Sequence, residues 1–376
     1  MPAPAASLPR HPRWRERCSL QFDATLKLWV ATGGALVDEV LGHPACRPSA
    51  ASRLLAALCA LPRDGGTIQP AWPRGTQRLH GLDQAVIALF EGILPSQVRE
   101  LARTCAVCER PRREAVHEPA SLWCYGVMVP ARALGLLFGV PACDLDRFSG
   151  WACSRLPWQP GRAAPHPRQA GRRAAEDMVR YLGSLGAAPR SGPQALDLLT
   201  RLKALALRRP DLPHRPAITQ LALLYCELHA ATAALIGSTL TALRRHAELL
   251  QLTQSEPALV PMAVREVLRA EPPLASAYRL VVEDAVLAGE PVKAGDTVLL
   301  RLGQPHRQHE AASGAFDNIR LDRKRAKVLA FGAEPFASAG QMIAETIAAE
   351  AVHRLLVHGA EGWPVERPAG ARHGRI

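Results

Sequence analysis

Glu266-Val267-Leu268-Arg269, Glu271-Pro272-Pro273-Leu274, Tyr278-Arg279, Glu283-Asp284, Gly289, Val292-Lys293-Ala294-Gly295, Phe316-Asp317-Asn318-Ile319-Arg320 and Leu329-Ala330-Phe331-Gly332 follow one another in this order, and their order decides the fold. Glu266 and Arg269 stand three apart, which places an acid and a base on one helix face. On a solvated surface such a pair contributes only a few tenths of a kcal/mol. Pro272-Pro273 then ends the helix, because neither ring can donate a backbone hydrogen bond. Beyond it, Tyr278 to Glu283 and Thr297 to Leu302 read as strands, with turns at Gly289 and at Ala294-Gly295. Residues 303 to 330 carry no period, and Ala339 to His358 is a last long helix.

Upstream the texture is helical. Ala217 to Leu250 is the longest periodic segment, and Leu221 to Leu243 within it is apolar nearly all round, which predicts a buried central helix. Glu118 to Phe138 is a second long apolar helix closed by Gly139-Val140-Pro141, with Asp144 and Asp146 opening the next. The run from Leu79 to Leu101 is helical in spacing with Pro95 breaking it. Residues 155 to 170 read as a surface loop, with helix resuming near Ala174 and breaking at Gly186 to Gly192. Leu28-Trp29-Val30-Ala31-Thr32 reads as a strand turning at Gly33-Gly34, and Ala35 to Leu41 as a short helix stopped by Gly42-His43-Pro44. The expected architecture is mainly α with small β-sheets (α+β), one near the start and one after residue 275. It forms a single large domain over 17–360, between a loose segment 1–16 and a tail 361–376.

The ordered series from Glu266 to Gly332 resembles the C-terminal half of the cytochrome P450 enzymes. Leu137-Phe138-Gly139-Val140-Pro141 and Leu235-Ile236-Gly237 with Arg245-His246 extend the resemblance upstream, so that it covers most of residues 25 to 358. It implies a P450-like fold in which Glu266, Arg269 and Arg320 form a structural triad, a carboxylate held by two guanidinium forks. It also implies a haem held by a cysteine thiolate in a loop of form Phe-Gly-x-Gly-x-His-x-Cys-x-Gly.

At that loop this chain reads Phe331-Gly332-Ala333-Glu334-Pro335-Phe336-Ala337-Ser338-Ala339-Gly340. The ends match without a gap, so the ligand position falls on Ser338, whose hydroxyl supplies no thiolate, and no cysteine follows Cys226. Glu334 replaces a glycine, which brings a carboxylate where close backbone approach is expected. Phe336 and Val328 replace histidines that hold haem propionates in the family, and Arg279 is the residual propionate contact. In the central helix the family's Ala-Gly-x-Asp/Glu-Thr-Thr corresponds to Glu227-Leu228-His229-Ala230-Ala231-Thr232, so Leu228 replaces the glycine and Ala230 and Ala231 replace the acid and the first threonine. Losses at the ligand, the propionate contacts and the oxygen groove agree with one another, and no bound cofactor is expected.

The resemblance then implies a haem-free auxiliary partner, of the kind that binds and stabilises a deoxysugar glycosyltransferase in bacterial natural-product pathways. Two alternatives stay open. One is a non-redox enzyme using the vacated pocket, with His229 and Glu227 as acid–base candidates, although a core histidine with one hydrogen bond is the plainer reading of His229. The other is a haem-binding monooxygenase with atypical ligation. A net charge of +12 suits an acidic protein partner. No zinc-finger spacing, RNA-binding sheet motif or basic-region helix points to specific nucleic-acid binding. Nine cysteines without a regular framework read as reduced thiols in a cytoplasm, and no apolar run is read as crossing a membrane. Cys105 and Cys108 with His117 and Cys124 have zinc-ligand chemistry at a spacing that is not a zinc pattern, so no metal is expected.

Overall fold

The computed structural model describes residues 19–47, 85–112, 118–154, 167–185, 197–209, 214–271, 276–302 and 336–359, plus positions 115, 212, 273, 319 and 321, with backbone alone at 167–170, 172, 336–338, 358 and 359. The organising element is α7 (His214–Arg245), preceded by β1 (Ser19–Asp23), β2 (Leu28–Thr32), α1 (Gly34–Gly42), β3 (Cys46–Arg47), α2 (Pro95–Cys108), α3 (Pro119–Phe138), α4 (Leu145–Cys153), α5 (Pro167–Ser184) and α6 (Leu198–Arg208). After it come α8 (Ala247–Ser255), α9 (Val260–Ala270), β4 (Ser276–Val281), β5 (Ala285–Leu287), β6 (Glu290–Val292), β7 (Thr297–Arg301) and α10 (Phe336–Gly359).

Buried residues of α7 recur on nearly every side, from Ala217 and Ile218 through Tyr225, His229 and Leu235 to Leu243. A helix apolar all round is stable in water only when other helices cover it, and α3, α5, α9 and α10 pack against α7. The same property lets α3 and α7 meet the length and hydropathy of a membrane span, contrary to the sequence reading. About two thirds and over half of their most apolar windows are nevertheless buried within the fold, as expected of core helices.

Several boundaries differ from the sequence reading for local reasons. The predicted Ala217–Leu250 helix is two helices, α7 and α8, separated at His246, whose backbone is extended (φ −116°, ψ 92°). Pro95 begins α2 at its first turn, where a missing N–H costs nothing. Pro167 likewise starts α5, ahead of the expected Ala174, and α10 starts at Phe336, so that Ser338 lies within helix.

The largest correction concerns the sheets. The strands near the start and those after residue 275 belong to one five-stranded sheet of order β1-β2-β7-β4-β3, in which β2 runs parallel to β7 with Val30 opposite Leu299. Trp29 Nε1 donates to Asp296 Oδ2 at 3.0 Å across the same junction. β5 and β6 form a separate hairpin. The sheet has its own core around Ala31, Val37, Val281, Val298 and Leu300, distinct from the helical core.

Gly139 ends α3 in the left-handed region (φ 95°), and its N–H bonds the carbonyls of Gly135 and Leu136. A Cβ there would lie 2.4 Å from Asp197 Oδ1, the carboxylate that caps α6 by accepting from Thr200 N at 2.8 Å. Gly139→Ala therefore meets both backbone strain and a displaced cap, and is expected to lower stability by about 2 kcal/mol or more in urea unfolding.

Candidate functional site

The residues singled out for chemistry in the central helix do not share one face. Glu227 and His229 are two apart, and side chains at that spacing point about 200° away from each other. His229 is 1% exposed and faces α3, where Nε2 lies 3.0 Å from the carbonyl oxygen of Val127. A carbonyl only accepts, so Nε2 carries the proton. Burial lowers the His229 pKa to about 4, while the bond to Val127 opposes that shift. The ring is therefore neutral at physiological pH.

The α3 side of this contact lies around an internal proline. Pro130 sits inside that helix, where it removes one backbone donor and crowds the preceding turn. One turn apart on α7, His229 and Tyr225 grip the carbonyls on either side of it: His229 takes Val127, and Tyr225 Oη donates to Ala131 O at 2.8 Å. The two rings stack with centroids 6.1 Å apart. Gly126 faces α7 at the same contact, where a Cβ on it would lie 3.4 Å from Ile236 Cγ2. Tyr225 was not among the sequence candidates. The available signal was Pro130 in the middle of a predicted helix.

Leu228 and Ala231 lie one turn apart and are both about 1% exposed. Thr232 is fully buried, and its hydroxyl donates to Leu228 O at 2.6 Å within its own helix. Ala230 is half-buried. The helix runs continuously from His214 to Arg245 through all of these positions.

Glu266 and Arg269 form the buried ion pair of the expected triad, with Arg269 Nε 3.2 Å from Glu266 Oε2. Arg320, the third member, lies outside the described residues, as do Val328 and Glu334. Phe336 and Ser338 are described by backbone alone, in the first turns of α10. Arg279 is buried on β4, and its Nη1 donates to Tyr278 O at 2.8 Å. Of the zinc-type residues, Cys105 is buried, Cys108 and Cys124 are exposed, and His117 lies outside the described residues. Among the described residues no three of His, Cys, Asp and Glu converge.

With this geometry in hand, the likeness to solved structures is specific. A hydroxylase involved in himastatin biosynthesis, HmtN, superposes with TM-score 0.66 at 22% identity, covering 92% of this chain and 88% of its own. P450 RauA, solved with a biosynthetic intermediate of aurachin RE, gives TM-score 0.66 at 21% identity, covering 90% and 85%. The chain has the cytochrome P450 fold. Among curated relatives of this P450-fold chain, the mycinamicin IV hydroxylase/epoxidase of Micromonospora griseorubida is 28% identical over 254 residues, which is 67% of this chain and 62% of the relative. The P450 monooxygenase PikC of Streptomyces venezuelae is 32% identical over 237 residues, 61% of this chain and 53% of that protein. Relatives' names and structural neighbours together support the cytochrome P450 superfamily. The matched stretch spans less than two thirds of the curated relatives' own length, and no protein-family model matches the chain.

Two outcomes follow. Removing one partner of a buried ion pair strands the other charge, so Arg269→Leu is expected to cost about 3 kcal/mol or more in urea unfolding. His229 has a folded pKa of about 4 against 6.5 for the free side chain. Its neutral form thus contributes stability that is complete above about pH 6.5 and is lost as pH falls towards 4, where only the unfolded chain has taken up the proton. His229→Gln keeps a donor for Val127 and cannot titrate. Between pH 7 and pH 4.5 this variant should lose roughly 2–3 kcal/mol less stability than the parent, read from chemical denaturation at each pH.

Proposed function

We propose that this chain is a haem-free P450-fold protein of a bacterial secondary-metabolite pathway, and that it acts as an auxiliary partner of the glycosyltransferase-helper kind rather than as an oxygenase. The observation that carries this reading is Ser338. The gap-free stretch from Phe331 to Gly340 puts a hydroxymethyl side chain at the iron-ligand position, and no cysteine follows Cys226. A serine hydroxyl is a poor iron ligand at neutral pH, and a thiolate is what drives O–O cleavage in this family.

Three further facts support it. Leu228 replaces the family's glycine and is buried, so a branched side chain stands where the oxygen groove belongs. Ala230 and Ala231 hold no proton to deliver. Residue 338 lies inside the helix α10 rather than in the loop preceding it. The donor set does not fit a thiolate-ligated haem. Retention of the Glu266–Arg269 pair and of the α7-centred core is what a binding scaffold requires. The +12 charge suits an acidic surface on the partner. The secondary-metabolite setting is drawn from the relatives' names.

A specific observation favours a competing reading: the named relatives are hydroxylases and a monooxygenase, which points to a haem enzyme with atypical ligation. A non-redox reaction at His229 has no such support, since that ring is neutral, buried and held by α3.

The absorption spectrum of the purified full chain separates the readings. No Soret band is expected after expression with added haem precursor, and co-expression with the pathway's glycosyltransferase is expected to raise that enzyme's soluble yield. Red protein carrying one haem per chain would sink the proposal.

A further inference from the structure

We propose that the corner between α6 and α7, built on Leu207, Arg208, Arg209 and Arg215, is the surface through which this chain holds its protein partner, and that the partner meets it with an apolar pocket rimmed by carboxylates. The inference rests on the auxiliary role proposed above. Leu207 is 84% exposed, the highest value of any large apolar side chain among the described residues. One exposed leucine is ordinary on a protein surface. What sets this one apart is the ground it stands on.

The rest of α6 is committed to the fold. Leu198, Leu199 and Leu202 are buried. Its two earlier basic residues bond the carbonyls of neighbouring segments: Arg201 Nη1 donates to Leu89 O at 2.9 Å and to Glu91 O at 2.7 Å, and Lys203 Nζ donates to Leu185 O. Beyond them the backbone fixes the corner. The Arg209 N–H bonds Leu205 O and the Leu212 N–H bonds Arg209 O, each at 2.9 Å. Leu212 is buried in the helical core, and α7 begins two residues later. A surface held this way has little freedom left to lose on binding.

The charge at the corner is not answered within the fold. From Leu198 to Cys226 the chain carries five Lys and Arg residues and a single acid, Asp211. Arg208, Arg209, His214 and Arg215 are exposed, and among the described residues no ion pair engages Arg208 or Arg215. By contrast, Arg103, Arg147 and Arg180 each meet a carboxylate three residues earlier. An apolar anchor flanked by arginines without acidic neighbours fits an acidic protein surface, where the charges steer the encounter and the leucine is desolvated. An anionic membrane would attract the same charges, but insertion needs a stripe of large apolar side chains, and Leu198, Leu199 and Leu202 face the core instead.

The test is binding of the pathway's purified glycosyltransferase to the full chain, read by biolayer interferometry at low and at high salt. Arg208→Glu combined with Arg215→Glu should weaken the complex at least about tenfold, chiefly through slower association, and should flatten its salt dependence. Leu207→Ser should weaken it about tenfold through faster dissociation. Because Leu207 is exposed, this variant reads the surface even if the charge reversal impairs folding. Arg173→Glu, on the exposed side of α5, should leave binding unchanged. A parent chain that binds the transferase while both corner variants bind as tightly would overturn this surface and leave the auxiliary role standing, whereas a parent chain that binds no transferase would remove both. Variants that lose binding to phosphatidylserine vesicles but keep their affinity for the transferase would assign the corner to a membrane and overturn the proposal.

Discussion

Everything in the helical half of the molecule depends on how α7 grips α3 across Pro130. A proline inside a helix is costly because the ladder loses a bond and the chain kinks. Here the carbonyls on either side accept from His229 and Tyr225. That contact places α3 against α7, and the edge-to-face ring cluster of Phe138, Phe148 and Tyr225 continues the contact towards α4. Tyr125 extends the same logic to α10 by donating to Ala351 O at 2.7 Å. Glu350, the residue before Ala351, is then held by Arg354 and Arg103, which ties α10 to α2.

This contact changes the standing of His229. From the residues alone, a histidine on the central helix invites a catalytic role, because its free pKa lies near neutrality. In the fold it is a neutral donor with its proton committed to a backbone carbonyl, and charging it would put a cation in an apolar core. The helices around α7 are fastened to one another through such contacts.

Much of this was legible in the residues. The all-round apolar stretch Leu221–Leu243 announced a buried helix, Gly139 marked the end of α3, and Glu266 with Arg269 marked a retained ion pair. What could not be read was pairing between distant segments. The Leu28–Thr32 strand carries a clear β signal, but nothing local says that its neighbour is Thr297–Arg301, since register is settled by the shared hydrophobic face after the chain has folded. The break at His246 was hidden for another reason: Arg244-Arg245-His246-Ala247 contains neither glycine nor proline. The clamp at Pro130 was half visible, as a proline inside a helix without the α7 side chains that bond the carbonyls near it.

The β2–β7 junction has a consequence for biogenesis. Trp29 and Asp296 are 267 residues apart, so the first hairpin leaves the ribosome long before its permanent neighbour exists. Until then β2 presents an open edge of backbone donors and acceptors, the feature that recruits foreign strands. The β1–β2 hairpin is therefore the part of the sheet whose partner strand is made last, while most of the buried core lies in the helical half.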